Sequence, residues 1–107
     1  MLFLSDAGSG VYSDIIPGVN YAYSSYKSSG KPSVATMSLG GSANSALDTA
    51  IATAISGGLH FTIAAGNSNV DAANTSLARV AAANTVGAVT SANAKASFSN
   101  YGSVLDV

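Results

Sequence analysis

Apolar positions along the chain fall into blocks whose period switches between that of a strand and that of a helix. Leu2 to Ser5 reads as a strand within the apolar run Met1-Leu2-Phe3-Leu4. That run is too short for a signal-peptide core and has no basic segment before it. Asp6 to Gly10 is a Gly-rich turn. Ile15, Ile16, Val19, Ala22, Tyr23 and Tyr26 then recur at the spacing of one helix face. Ser13-Asp14 offers a hydroxyl cap and an acid near the positive end of the dipole. Pro17 sits in or near the first turn, where it costs least. Ser28-Ser29-Gly30 and then Lys31-Pro32 end this helix. Ser33 to Met37 reads as a strand, closed by Gly40-Gly41. A second helix runs from about Asn44 to Ser56, with Leu47, Ile51, Ala54 and Ile55 on one face and Gly57-Gly58 at its stop. Leu59 to Ala64, carrying Leu59, Phe61, Ile63 and Ala64, reads as a strand of the kind that a parallel sheet buries on both faces. A polar loop from Gly66 to about Leu77 follows, and Thr85–Thr90 and Val104–Val107 are two further strand candidates.

Strand, helix, strand, helix, strand predicts an α/β fold: a doubly wound parallel sheet with right-handed crossovers and helices on both faces. Ligands of such sheets sit beyond the carboxyl ends of the strands. Three turns belong on that edge: Asp6–Gly10, Ser38–Gly41 and Ala65–Asn69. They are rich in Gly, Ala, Ser and Asn, residues small enough to let another backbone approach closely. The chain opens inside one strand and closes at Leu105-Asp106-Val107 inside another, which predicts an incomplete domain. A sheet cut in this way exposes apolar edges and tends to associate.

Composition narrows the function. The 107 residues hold 48% hydrophobic and only 8% charged side chains. That balance excludes disorder. A formal net charge of -1 offers no electrostatic footprint for nucleic acid or for an anionic membrane surface. No apolar run approaches the length of a membrane span. Without cysteine there are no disulfides, thiolate metal sites or thiol nucleophiles.

The turns carry a specific resemblance. Gly8-Ser9-Gly10, Ser38-Leu39-Gly40-Gly41, Ala64-Ala65-Gly66-Asn67 and Phe98-Ser99-Asn100-Tyr101-Gly102 stand in the order seen in subtilisin-like serine proteases. The chain is most similar to the proteinase K-like fungal branch, over nearly its whole length. The resemblance implies that residues 1–107 are the central part of a single peptidase domain. It makes Asn67 the oxyanion-hole side chain, a fixed amide donating to the charge that develops on a scissile carbonyl. Removing such a donor costs roughly 3–4 kcal/mol of transition-state stabilisation, a magnitude taken over from subtilisin itself. The resemblance also makes Gly8, Ser9, Gly10 and Ser38, Leu39, Gly40 the two segments that clamp an extended peptide by backbone pairing. Ala64, Ala65 and Gly66 would line the primary specificity pocket, where small walls leave room for apolar or aromatic side chains. Polypeptides are then the substrates, the remaining segments of the same domain are the partners, and the protein is secreted.

The same resemblance implies a structural calcium ion, held by the carbonyls of Ala81 and Ala83 and by Asp106; oxygen-only ligation suits that cation. Ala81 stands where the branch usually has Pro, which puts the loop's shape in question. His60, the only histidine, tempts assignment as a catalytic base. It lies within a strand, seven residues before Asn67, and close relatives carry a non-catalytic His there. Asn74-Thr75-Ser76 is a glycosylation sequon that acquires meaning if the parent is secreted. The triad motifs, Asp-Ser/Thr-Gly, His-Gly-Thr-His and Gly-Thr-Ser-Met-Ala, do not occur here. The first two belong before Met1 and the third after Val107, so the chain by itself is expected to be inactive. Two other classes stay open. One is a non-catalytic peptide-binding module that kept the cleft and lost the chemistry. The other is a nucleotide-binding α/β module, whose full phosphate-loop pattern and lysine are missing.

Overall fold

The computed structural model describes residues 12–107. The expected strand Leu2–Ser5 and the turn Asp6–Gly10, with Gly8, Ser9 and Gly10, therefore lie outside the described residues. Helix α1 spans Tyr12–Ser29 and buries Ile15 and Val19. Tyr12, Ile16, Ala22, Tyr23 and Tyr26 pack partly against the same core, which completes the stripe read from the sequence. Pro17 stands inside this helix, beyond its first turn, and removes one rung of the backbone ladder.

Strand β1, Val34–Met37, leads to a two-residue strand β2, Gly41–Ser42. Helix α2, Ser45–Ser56, begins on a side-chain cap: the Asn44 carboxamide oxygen accepts from the Leu47 N–H at 3.0 Å. It ends at Gly57, where a Cβ would run into the Tyr23 ring, so the glycine lets α1 and α2 close together. Strand β3, His60–Ala64, is followed by a 3₁₀ turn at Ala72–Asn74, strand β4 at Thr75–Ser76 and strand β5 at Asn84–Val86.

The main sheet is parallel, in the order β1-β3-β5, with β3 at its centre. Val34 pairs with His60 and Met37 with Ile63; on the other side Ile63 pairs with Thr85. Strands β2 and β4 form a separate antiparallel ribbon, Gly41 opposite Ser76 and Ser42 opposite Thr75. The architecture is the expected α/β one. Its core joins Leu47, Ile51 and Ala54 of α2 to Met37, Phe61 and Ile63 of the sheet and to Leu77, Val80 and Ala83. Both described helices pack on this one face. Along β3, buried Phe61 and Ile63 alternate with exposed His60 and Ala64 and half-buried Thr62, so the strand expected to be buried on both faces has one covered and one open face. On the open face Thr62 donates to Thr36 across the strands at 3.2 Å.

The two C-terminal strand candidates are shorter than the pattern suggested. Of the 85–90 stretch only Thr85 and Val86 form ladder, with Asn84 before them. Beyond them the chain turns through Asn93, with Thr90 N–H bonded to the Ala94 carbonyl at 2.8 Å. Val104–Val107 is not a strand. Its end folds onto β5 instead: Asp106 N–H and Val107 N–H both reach the Thr85 carbonyl, and Gly87 N–H reaches that of Val107. The Thr85 N–H, which a ladder would need, is taken by the Asp106 carboxylate at 2.8 Å. Among the described residues no helix is long and apolar enough to cross a membrane.

Candidate active-site cleft

Beyond the carboxyl ends of β1 and β3 lies a cleft of about 410 Å³. Ser38, Leu39, Gly40 and Gly41 form one rim, Ala64 to Ser68 the floor, and Thr75 and Ser76 part of the wall. A second hollow of about 370 Å³ continues toward Val86–Ala88 and shares Ser38 and Ala64 to Asn67 with the first. The residues predicted to bind substrate that fall within the described region thus come together: Ser38, Leu39, Gly40, Ala64, Ala65 and Gly66, with Asn67 among them. No charged side chain is among the described residues that line either hollow. Among these residues, the groups able to meet a developing charge are dipoles, from amides and peptide N–H groups.

Asn67 stands three residues past β3 and is exposed to the cleft. Its place is fixed by the backbone around it. Gly66 has φ 103°, a conformation open to glycine and strained for other residues. Ala65 N–H still bonds to the Val86 carbonyl at 2.8 Å, so the sheet reaches to within two residues of Asn67.

Sequence reading missed what holds the far side of this turn. Asn100 is 1% exposed. Its amide nitrogen donates to the Ala65 carbonyl at 2.8 Å, and its oxygen accepts from Ser68 N–H at 3.0 Å and Val70 N–H at 3.1 Å. The backbone follows the same path: Asn100 N–H reaches the Gly66 carbonyl and Asn69 N–H that of Phe98. Lys95 adds bonds to Asn69 Oδ1 and to the carbonyls of Ala96 and Ser99. An Asn beside a Tyr-Gly pair reads as a turn residue in sequence; only its burial reveals the clamp.

The ribbon that walls the cleft is held by α1 and α2. The Ser76 hydroxyl bonds to both the N–H and the carbonyl of Asn44, the cap of α2. Asp48, one turn further on, accepts from Leu77 N–H at 3.2 Å and pairs with Arg79. Tyr12 of α1 donates its hydroxyl to the Ser42 carbonyl at 2.7 Å. Burial, with Asp48 adding to it and Arg79 opposing, pushes the Tyr12 hydroxyl above its ordinary pKa.

His60 lies exposed at the start of β3, at the opposite end of the strand from Asn67. Asp106 places its carboxylate on the N–H of Thr85, two residues past Ala83. Asn74 is exposed in the 3₁₀ turn, while Ser76 of its sequon is fully buried.

Residues 2–107 match the subtilase family of peptidases. Alkaline serine exoprotease A of Vibrio alginolyticus is 53% identical over 97% of this chain, which spans 19% of that protein. The subtilisin-like serine protease AsES of Sarocladium strictum is 51% identical over 97% of the chain, which spans 27% of it. The crystal structure of a cold adapted subtilisin-like serine proteinase superposes with a TM-score of 0.90 at 50% identity, over 96% of this chain and 37% of that one. The chain therefore spans well under half the length of the relatives it matches. A family match over residues 2–107, with identity near one residue in two, leaves one conclusion: the chain belongs to the subtilase family.

Proposed function

We propose that this chain is the central segment of a subtilisin-like serine endopeptidase, secreted by resemblance to its family, and that it supplies the substrate cleft and half of the electrophilic machinery. The observation that carries the reading is Asn67: an uncharged donor at the end of the inner strand, facing a hollow rimmed by Ser38–Gly41. In the intact enzyme a serine hydroxyl adds to the peptide carbonyl as its proton passes to a histidine. The carbonyl oxygen turns negative, and the Asn67 carboxamide donates to it; the acyl-enzyme then forms as the amine leaves. The backbones of Ser38–Gly40 and of Gly8–Gly10 hold the substrate extended, and Ala64–Gly66 accept an apolar or aromatic side chain.

The triad serine, histidine and aspartate come from outside these 107 residues. The donor set at Ala81, Ala83 and Asp106, two carbonyls and a carboxylate, is chemically that of a calcium site. Bound there, the ion would tie the chain's end to the loop before β5; it takes no part in the acyl transfer.

The test is turnover of a chromogenic peptide. The purified chain is expected to release no product. Turnover that a serine-directed inhibitor abolishes would overturn the reading. A complete domain, made by placing this chain in the matching segment of a full-length relative, is expected to cleave, and Asn67→Ala to lower its kcat about 10²–10³-fold, a range set by subtilisin itself.

A further inference from the structure

Among the described residues, every hydrogen bond of the Asn100 side chain ends on the turn that carries Asn67, and none ends on Asn67. The amide nitrogen holds the Ala65 carbonyl on one side; the oxygen holds the N–H groups of Ser68 and Val70 on the other. The Asn100 backbone N–H adds the Gly66 carbonyl at 2.9 Å. Residues 65, 66, 68 and 70 are therefore fixed to one buried residue that lies 30–35 positions away in sequence. Gly66 fits this arrangement from the other direction: a Cβ there would stand 2.5 Å from the Asn100 amide nitrogen.

We propose that Asn100 is a positioning residue for Asn67, its carboxamide locking the 65–70 turn in the conformation that presents the Asn67 amide to the cleft. This inference rests on the oxyanion role given above to Asn67. Preorganisation is the physical reason the clamp matters. A donor stabilises developing charge in proportion to how little it must move at the moment of reaction. Among the described residues Asn67 makes no side-chain hydrogen bond of its own, and it is the 65–70 turn that carries it to the cleft. A misplacement of about 1 Å in such a group can cost about 10²-fold in rate.

The experiment uses the complete domain described above, with Asn100→Leu, Asn67→Ala and the pair. Asn100→Leu is expected to lower kcat by about 10–100-fold and to leave KM within about twofold, because the loss falls on the transition state. The double variant is expected to be no slower in kcat than Asn67→Ala alone, since the clamp's effect on kcat passes through that amide. Unchanged kcat in Asn100→Leu, or a double variant showing the product of both losses, overturns the proposal. Should Asn67→Ala itself leave kcat unchanged, the oxyanion role fails instead.

Asn100→Asp keeps an acceptor for Ser68 and Val70 and sets a carboxyl oxygen where the donor to Ala65 stood. It carries the same kinetic test if the leucine variant does not fold. Amide hydrogen exchange gives a readout without catalysis. In Asn100→Asp, Ser68 and Val70 should keep their protection. In Asn100→Leu they should exchange at least about tenfold faster, while amides inside α2 do not change. Equal exchange of Ser68 and Val70 in the leucine variant and the parent would also overturn the clamp.

Discussion

Tyr12 ties the first described helix to the cleft wall through one hydroxyl, and its titration follows from that place. The phenol donates to the Ser42 carbonyl, and burial with the nearby Asp48 carboxylate favours the protonated form over the phenolate. The folded chain therefore holds this proton to a higher pH than the unfolded chain, whose tyrosine titrates near 10. The resulting stabilisation is complete below about pH 10 and disappears as pH rises through the raised folded value. Urea midpoints measured between pH 8 and 11 should fall more steeply for the parent than for Tyr12→Phe; parallel curves would contradict the linkage. Asn67 and Asn100 mark the limits of sequence reading at this scale. The first sits in a tetrad that carries the family resemblance, and the oxyanion proposal rests on that tetrad. The second acts through burial and through partners some 30 residues away, which spacing along the chain does not encode.

Among the elements, the β2–β4 ribbon is the piece least visible in sequence and most important to the shape of the cleft. Each of its strands has two residues, too few to leave a periodic signal. It exists because Asn44, Asp48 and Tyr12 supply the partners that the ribbon itself lacks. The long helices and β3 were legible because their apolar spacing repeats over several turns or a whole strand. At 85–90 and 104–107 the pattern predicts more strand than forms, since an apolar run shows that a segment is buried and not which hydrogen bonds it makes. Asp48 serves two partners of unequal weight. Its pair with Arg79 is partly solvated and contributes about 0–1 kcal/mol. Its bond to the backbone N–H of fully buried Leu77 is charge-assisted and contributes about 1.5–3 kcal/mol. Leu77 has φ 69°, a strained value that this bond helps to hold. Chemical denaturation should therefore show Asp48→Ala destabilised by about 2–3 kcal/mol and Asp48→Asn, which keeps an acceptor, by about 1 kcal/mol or less. Equal losses would mean that the ion pair, and not the Leu77 bond, matters more.

At the scale of the whole molecule, the described residues form a three-stranded sheet covered on one face only. Thr36, Thr62 and the exposed Val34 and Val86 mark the uncovered side and edges. Relatives of which this chain spans only 19% and 27% have ample further chain to cover such a face. The chain's end is fastened to β5 by Asp106, and the calcium proposal belongs to this scale because the ion would act on the same junction. Thermal melting in calcium, set against melting in chelator, should show a higher midpoint with calcium in the parent and none of that gain in Asp106→Asn. Equal midpoints with and without the ion would remove the site.

The clamp at Asn100 also orders events in time. Ala65 leaves the ribosome 35 residues before the group that will hold its carbonyl. A nascent chain halted between Val70 and Asn100 already carries both the Ser38–Gly41 rim and Asn67, yet Ser68 and Val70 still lack their acceptor. The turn that carries Asn67 thus gains this clamp only once Asn100 has been made, however early its own residues are made.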